Sequence, residues 1–218
     1  IAMIAMRRLA DAEREGDPIY AVIRGLGASS DGRSKSVYAP VAEGQAQALR
    51  RAYLGAGYGP ETVELVEAHG TGTGAGDAAE ISGLKIAFDE CGRTDRQWCA
   101  VGSVKSQIGH TKATAGAAGL LKIVMALHHK VLPPTIKVTT PNPRADFPNS
   151  PFYVNTRARP WIRDSMHLRR ASVSSFGFGG SNFHVAAEEY QGPGRRPARL
   201  DGSPAELLVF SGMSAAEV

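Results

Sequence analysis

Strand-type and helix-type segments alternate along almost the whole chain, and few folds accommodate that order. Runs rich in β-branched and apolar residues, bounded by glycine, proline or serine, predict strands. The longer segments between them have helical composition and end at glycines, as helices do. This alternation favours an α/β domain. The predicted strands cover residues 19–30, 62–69 and 98–106, and the predicted helices cover 42–57, 77–91 and 111–129.

The two ends of the chain differ from this alternating part. Residues 1–15 are apolar first and then charged, which predicts the last part of a helix. Residues 169–190 predict two strands joined by a glycine turn. Beyond them, 191–206 is rich in proline, glycine and arginine, as interdomain linkers are, and 207–218 begins a new apolar strand. We therefore expect one α/β region, 1–190, within a longer polypeptide.

Composition excludes several classes of protein. The chain has 43% hydrophobic residues, enough for a packed core, and a formal net charge of +4. Nucleic-acid binding needs a denser basic stripe than this, and no apolar run approaches the roughly 20 residues of a membrane span. The two cysteines have no metal-ligand spacing, so we expect free thiols in the cytosol.

A glycine-rich loop, HGTGTGAGD at residues 69–77, follows the second predicted strand. A nucleotide phosphate loop has lysine after its last glycine, where this chain has Asp77, and the alternating glycines do not give the GxGxxG spacing of a dinucleotide site. His69 has no second ligand at metal-binding spacing. We interpret Asp77 as the N-cap of the following helix. A plain turn around a core histidine is the simplest alternative.

Two further strand ends carry chemically distinctive residues. The segment SVKSQIGHTKATAG places Lys105 at the end of the third predicted strand and His110 just before the next helix. The turn in SSFGFGGSN carries the apolar Phe178 among glycines. Ligands of α/β sheets gather at the ends of strands. These residues and His69 therefore predict one shared site rather than separate packing positions.

Together, VEAHGTGT, VGSVKSQIGHTKATAG and SSFGFGGSN resemble the C-terminal half of a β-ketoacyl synthase (ketosynthase) domain over nearly all of residues 1–190. Among the ketosynthases of polyketide and fatty-acid synthases, the chain looks most similar to those of polyunsaturated-fatty-acid and enediyne-type synthases, whereas many modular polyketide ketosynthases have Gln or Glu at the position of Lys112. The resemblance implies a thiolase-like fold with layers in the order α-β-α-β-α, of which this chain forms the C-terminal half-domain. It also implies that 191–206 is a linker and that 207–218 starts a region leading towards an acyltransferase.

The resemblance further implies a reaction, the decarboxylative Claisen condensation of an acyl thioester with malonyl-acyl-carrier protein. Two neutral imidazoles that donate N–H groups can stabilise the negative charge that develops on a thioester oxygen, and a nearby ammonium group favours their neutral form. The matching catalytic residues are His69, His110 and Lys105; the oxyanion and gating residues are Phe178 and Gly179; the pantetheine-binding residues are Thr71 and Thr73. Asp77 and Glu80 are interpreted as helix-start residues rather than general acids.

The same resemblance implies the partners. No metal and no directly bound cofactor is expected, and the phosphopantetheine arm of an acyl-carrier protein would carry the substrate. The carrier protein, the upstream half of the ketosynthase (on the same or a separate chain) and a second copy of the full domain, forming a homodimer, are the expected partners. Neither nucleic acid nor a membrane span is expected.

The reactive cysteine of the family lies in a motif like DTACSSS, which this chain does not contain. Cys99 within an apolar strand and Cys91 at a helix end lack the helix N-terminus or cationic neighbour that activates a thiol. Three explanations stay open. The thiol lies upstream in the same polypeptide, it lies on another chain, or the protein is a non-catalytic partner that shapes a pocket, like a chain-length factor. We expect the first.

Overall fold

The computed structural model describes residues 1–33, 39–162 and 166–193. In chain order its helices are α1 (Leu9–Glu15), α2 (Ala42–Ala56), α3 (Gly74–Asp89), α4 (Lys105–Ile108) and α5 (Ala115–His129). Its strands are β1 (Val22–Ser30), β2 (Leu65–Glu67), β3 (Cys99–Gly102), β4 (Val131–Leu132), β5 (Phe152–Val154), β6 (Arg159–Pro160), β7 (Arg170–Gly177) and β8 (Ser181–Glu188). The predicted strand at 207–218, and the predicted linker from residue 194 onward, lie outside the described residues.

The α/β class predicted from the sequence is confirmed. The main sheet has the strand order β1-β8-β7-β2-β3-β5. Strands β7, β2, β3 and β5 run parallel to one another, whereas β8 pairs antiparallel with both β1 and β7. Strands β4 and β6 form a separate antiparallel ribbon. The parallel strands need crossover connections, and helices α3 and α5 lie in those connections.

The helices cover both faces of the sheet. Successive side chains of a strand point to opposite faces, and the two cores follow this alternation. Val66 and Val101 pack with residues of α2 and α3 in one core. Leu65 and Ala100, one position earlier on the same strands, pack with residues of α5 in the other. The described chain therefore has three layers, with α2 and α3 on one face of the sheet and α5 on the other.

Helix α2 lies unusually close to β1. A Cβ added to Gly27 would overlap the carbonyl oxygen of Ala48, and one added to Gly25 would overlap that of Ala52. No side chain fits at either position. The glycines that sequence reasoning assigned to strand and turn are thus required for direct helix-to-strand packing.

Several predicted helices and strands differ from the structure in their first or last residues. Helix α1 begins at Leu9, so the apolar residues before it are not helical. The strands predicted at 62–69 and 98–106 shorten to Leu65–Glu67 and Cys99–Gly102. Lys105 consequently begins the short helix α4 and does not end a strand. A strand continues only while a neighbour pairs with it, and composition does not report where that pairing stops.

Asp77 is not the N-cap of α3, in contrast to the prediction. The small residues that precede it are already helical, and Thr73 is the capping residue. The backbone N–H of Asp77 donates to the carbonyl oxygen of Thr73 at 2.9 Å. The Asp77 carboxylate instead accepts the backbone N–H of Gly72 at 3.1 Å, which fastens the glycine loop to the first turn of the helix.

Candidate active site

The two predicted histidines meet where the parallel strands end. His69 lies two residues beyond the end of β2, and His110 lies in the loop between α4 and α5. Their ring centroids are 5.6 Å apart and the ring planes are inclined by 84°. Neighbouring parallel strands β2 and β3 end at the same edge of the sheet. The loops that follow these strands are therefore brought together.

A cavity of about 590 Å³ opens in front of these rings. Its lining includes both histidines, Thr71, Thr73, Phe178 and Gly179, together with residues of the β7–β8 turn and of α3. Lys105 is the one predicted site residue that does not line it. The structure thus places six of the seven predicted residues on one cavity and leaves the lysine outside its lining.

His69 is held as a neutral ring. Burial first, and then the ammonium group of Lys105 and the His110 ring, lower the pKa of His69 to about 4. Its Nδ1 atom is buried without a hydrogen-bond partner among the described residues.

A buried carboxylate sets the position of His69. Glu80, which is 4% exposed, accepts the backbone N–H of His69 at 2.6 Å and that of Gly70 at 2.8 Å. Burial raises the pKa of Glu80 to about 7, although both N–H donors oppose the change. Its predicted role as a helix-start residue is incomplete, because it lies in the second turn of α3 and holds the loop. A glutamate on the apolar face of a helix, beside Ile81 and Leu84, was the available signal.

The tautomer of His110 follows from one backbone contact. The backbone N–H of Lys112 donates to Nδ1 of His110 at 3.0 Å. Nδ1 is thus an acceptor, and the neutral ring carries its proton on Nε2. Lys112 has a left-handed φ of 56°, which is costly for a residue with a side chain. The backbone is strained where it fixes the catalytic candidate.

Lys105 is half-buried at the start of α4. Burial lowers the pKa of its ammonium group, while the carboxylates of Glu67 and Glu80 raise it and Lys122 lowers it again. Lys105 is therefore one of four charged groups behind the histidines. Sequence reasoning found Lys105 but missed Glu67 and Lys122.

The two threonines lie at the mouth of the cavity. Thr71 Oγ1 and Thr73 Oγ1 are 3.3 Å apart, and both side chains are exposed. Hydroxyl groups in this position can donate to and accept from a polar chain that enters the cavity.

The turn between β7 and β8 forms the opposite wall. Phe178 is 90% exposed at its tip, and Gly179 and Gly180 have φ values of 94° and 79°, a range that favours glycine. Phe176, which the sequence analysis did not single out, contacts the His69 ring at a centroid distance of 5.9 Å. Phe176 thus supports the imidazole, whereas Phe178 projects outward.

Neither cysteine belongs to this cavity. Cys99 is fully buried in β3, and burial raises its pKa well above the usual value for a thiol. The Cys91 thiol donates to the carbonyl oxygen of Phe88 at 2.8 Å. The prediction that neither is an activated nucleophile agrees with these environments.

Within the described residues, no group of three or more histidine, cysteine, aspartate and glutamate side chains could hold a metal ion. None of the helices in this part of the chain has the length and apolar character to span a membrane.

Comparisons with known proteins give a consistent result. Residues 20–139 match the family described as Beta-ketoacyl synthase, C-terminal domain, and residues 141–218 match Ketoacyl-synthetase C-terminal extension. The chain is 47% identical over 216 residues to one of the subunits of the polyunsaturated fatty acid synthase of Thraustochytrium sp., covering 96% of this chain and 8% of that protein. It is 46% identical over 198 residues to Polyketide synthase PksL of Bacillus subtilis, covering 90% of this chain and 4% of that protein.

A solved structure agrees with these relatives. The ketosynthase from module 6 of the bacillaene synthase of Bacillus subtilis superposes with a TM-score of 0.82 at 46% identity, covering 86% of this chain and 35% of that one. The predicted thiolase-like layered fold is confirmed by this similarity. The chain spans only a small part of the relatives it matches.

Proposed function

We propose a function from one premise: this chain belongs to the β-ketoacyl synthase family, as the C-terminal domain of a ketosynthase with its C-terminal extension. In the proposed function it forms part of an acyltransferase that joins an acyl thioester to a malonyl unit on an acyl-carrier protein. The product chain is a polyketide or a polyunsaturated fatty acid, the classes made by the relatives of this chain.

The single observation that supports this function is the convergence of two imidazoles, 5.6 Å between centroids, on one end of the cavity. His69 is neutral at physiological pH because its pKa is lowered to about 4. His110 carries its proton on Nε2 because Nδ1 accepts a backbone N–H. Both rings can therefore donate an N–H group to the same thioester oxygen.

The N–H groups of the two rings act in the decarboxylation step. The bond between the malonyl carboxylate and its α-carbon breaks, CO2 leaves, and the electron pair forms an enolate whose oxygen is held by His69 and His110. The enolate carbon then attacks the acyl thioester, and the thiolate that carried the acyl group departs. The backbone N–H of Phe178, beside Gly179 in the β7–β8 turn, stabilises the oxyanion of this second step, and the Phe178 ring gates entry. Burial first, and then the positive charge of Lys105, keep His69 neutral by lowering its pKa.

The remaining components complete the proposal. The phosphopantetheine arm of the carrier protein enters past Thr71 and Thr73, whose hydroxyl groups bind its amides. The acyl-accepting thiol belongs to the part of the ketosynthase that this chain does not span, since Cys91 and Cys99 lie away from the cavity. The complete domain forms a homodimer, as the resemblance implies.

The test uses a complete ketosynthase domain that contains this chain. Release of CO2 from malonyl-acyl-carrier protein is measured for the parent and for the His69→Ala and His110→Ala variants, with His167→Ala, outside the cavity, as the matched control. We expect both site variants to lose at least about a hundredfold in rate and the control to retain it. A parent domain that binds the carrier but releases no CO2 would instead identify the non-catalytic, chain-length-factor-like partner.

A further inference from the structure

A buried ion pair lies behind the two histidines. Glu67 is 1% exposed, and its Oε2 lies 2.6 Å from Nζ of Lys122, whose side chain is 9% exposed. The other carboxylate oxygen accepts the backbone N–H of Val104 at 2.5 Å. One carboxylate thereby connects β2, α5 and the residue that precedes α4.

Stability alone does not explain this pair. Removing two charges from water costs several kcal/mol, and hydrophobic residues of similar volume often replace such a pair without loss. The packing between β2 and α5 nevertheless leaves room for the pair. A Cβ added to Gly119 on α5 would lie 3.1 Å from Cγ of Glu67 and 2.9 Å from Cγ2 of Val173. The glutamate therefore occupies a gap that even an alanine on the facing helix would narrow.

Glu67 and the backbone donor to its carboxylate are close in sequence to the proposed catalytic residues. Glu67 precedes His69 by two residues, and Val104 immediately precedes Lys105. The charged groups that influence Lys105 are Glu67 from β2, Glu80 from α3 and Lys122 from α5. His69, in the loop after β2, is influenced by Lys105 and His110. Either lysine can thus serve as counter-ion to Glu67, and the ion pair in the structure is with Lys122.

We propose that Lys122 is a positioning residue, the counter-ion that satisfies Glu67 so that the Lys105 ammonium group stays beside His69. This inference rests on the proposed function, because it assigns the use of Lys105 in that reaction. Lys122 itself does not line the cavity. It acts on the histidines only through Glu67 and Lys105.

Removal of the Lys122 counter-ion should change the pKa of His69 in one direction. Burial raises the pKa of Glu67, and Lys122 is the largest influence that opposes this change. In a Lys122→Met variant, Lys105 is the cation left to keep Glu67 ionised, so its ammonium group moves towards that carboxylate and away from His69. Loss of a neighbouring cation raises the pKa of a histidine. His69 then becomes protonated, and inactive as a neutral donor, at a higher pH than in the parent. The acidic limb of the pH–rate profile for decarboxylation therefore moves upward.

The experiment uses the complete ketosynthase domain and four variants: Lys122→Met, Lys122→Arg, the double variant Glu67→Gln/Lys122→Met, and the control Lys85→Met. Lys85 makes an ion pair with Asp146 at 3.9 Å, away from the cavity. CO2 release from malonyl-acyl-carrier protein is followed against pH, and the His69 ring is titrated by NMR with 13C-labelled histidine. Thermal unfolding is recorded for each.

Lys122→Met is expected to raise the acidic limb and the His69 titration by about one pH unit. The rate near neutral pH stays close to that of the parent, because the pKa of His69 starts from about 4 and the ring remains neutral there. Lys122→Arg keeps the charge and the parent profile. The double variant removes both the counter-ion and the carboxylate that would capture Lys105, so both readings return towards those of the parent. Lys85→Met leaves them unchanged.

A purely structural role gives a different pattern. If Lys122→Met lowers the unfolding temperature while the acidic limb and the His69 titration stay at the parental pH, the proposal is overturned. If the parent domain releases no CO2, the proposed function fails, and the NMR titration still decides this inference. A shift of His69 in Lys122→Met that the double variant reverses supports it, and an unshifted His69 overturns it.

Discussion

The carboxylate of Glu80 accepts the backbone N–H of His69 at 2.6 Å, so α3 fixes the point from which the His69 ring projects. The same carboxylate accepts the N–H of Gly70 at 2.8 Å. Glu80 neither donates nor accepts a proton as a step of the proposed reaction. Its carboxylate, on the buried side of α3, holds the glycine loop by accepting two backbone N–H groups that would otherwise lack this acceptor.

Glu80→Gln is expected to loosen this loop, because glutamine has one acceptor oxygen and turns an NH2 group towards the second donor. The complete domain should lose about 1–3 kcal/mol of unfolding free energy, and decarboxylation should fall with it. Urea unfolding and CO2 release measure the two effects. Glu90→Gln removes a glutamate at the exposed end of the same helix and is the control. Equal stability of both variants would contradict the anchoring role.

Substitutions of Lys112 should distinguish the role of its backbone from the role of its side chain. Lys112→Gly adopts a φ of 56° without strain and keeps the N–H that His110 accepts, so the protonated Nε2 of His110 should persist. Lys112→Val opposes the left-handed conformation and should cost about 1–2 kcal/mol. The 15N shifts of the His110 ring report the tautomer, and a changed tautomer in the glycine variant would refute the backbone argument.

Acid sensitivity is expected from His184. This ring is fully buried between Tyr53 and Ser174, and burial lowers its pKa to about 3. The unfolded chain binds this proton more readily, so the contribution to stability is complete above about pH 6.5 and is lost as pH falls towards 3. A His184→Asn variant should be less stable at neutral pH but show a flatter decline. Parallel stability curves for variant and parent, measured by urea unfolding, would argue against this.

The threonine pair should affect carrier-bound substrates selectively. Thr71→Val and Thr73→Val remove the exposed hydroxyl groups that lie 3.3 Å apart, with little change in shape. We expect a KM for malonyl-acyl-carrier protein raised by roughly tenfold, the loss of one to two hydrogen bonds. The KM for a malonyl thioester of a simple thiol without pantetheine amides should stay constant. Thr94→Val, in an exposed loop, is the control, and an equal rise for both substrates would count against pantetheine binding.

Much of the fold followed from local patterns. Helix α2 and the β7–β8 hairpin lie close to their predicted positions, because Gly57 ends the helix in a left-handed conformation and glycines form the turn. Local pattern failed where long-range pairing decides the boundary. Strand β2 spans only Leu65–Glu67 because its two neighbours pair with it over that length alone.

The histidines and glycine loops of the site were found through motifs, and their roles stay predictions. The buried carboxylates were missed for a physical reason. Glu67 and Lys122 are 55 residues apart in the chain, and neither the strand nor the helix reveals that the other supplies a partner. A charged residue inside an apolar strand was visible as an anomaly, but the tertiary fold is needed to resolve it.

The brevity of β2 restricts how this segment can change over evolutionary time. Its side chains alternate between the α2–α3 core and the α5 core, so inserting or deleting one residue before His69 would exchange the two faces. Glu67 would leave Lys122, and Val66 would take its place opposite an ammonium group. The apolar positions Val66 and Ala68 can therefore accept conservative codon replacements, whereas an in-frame gain or loss of a single codon would disrupt both cores at once.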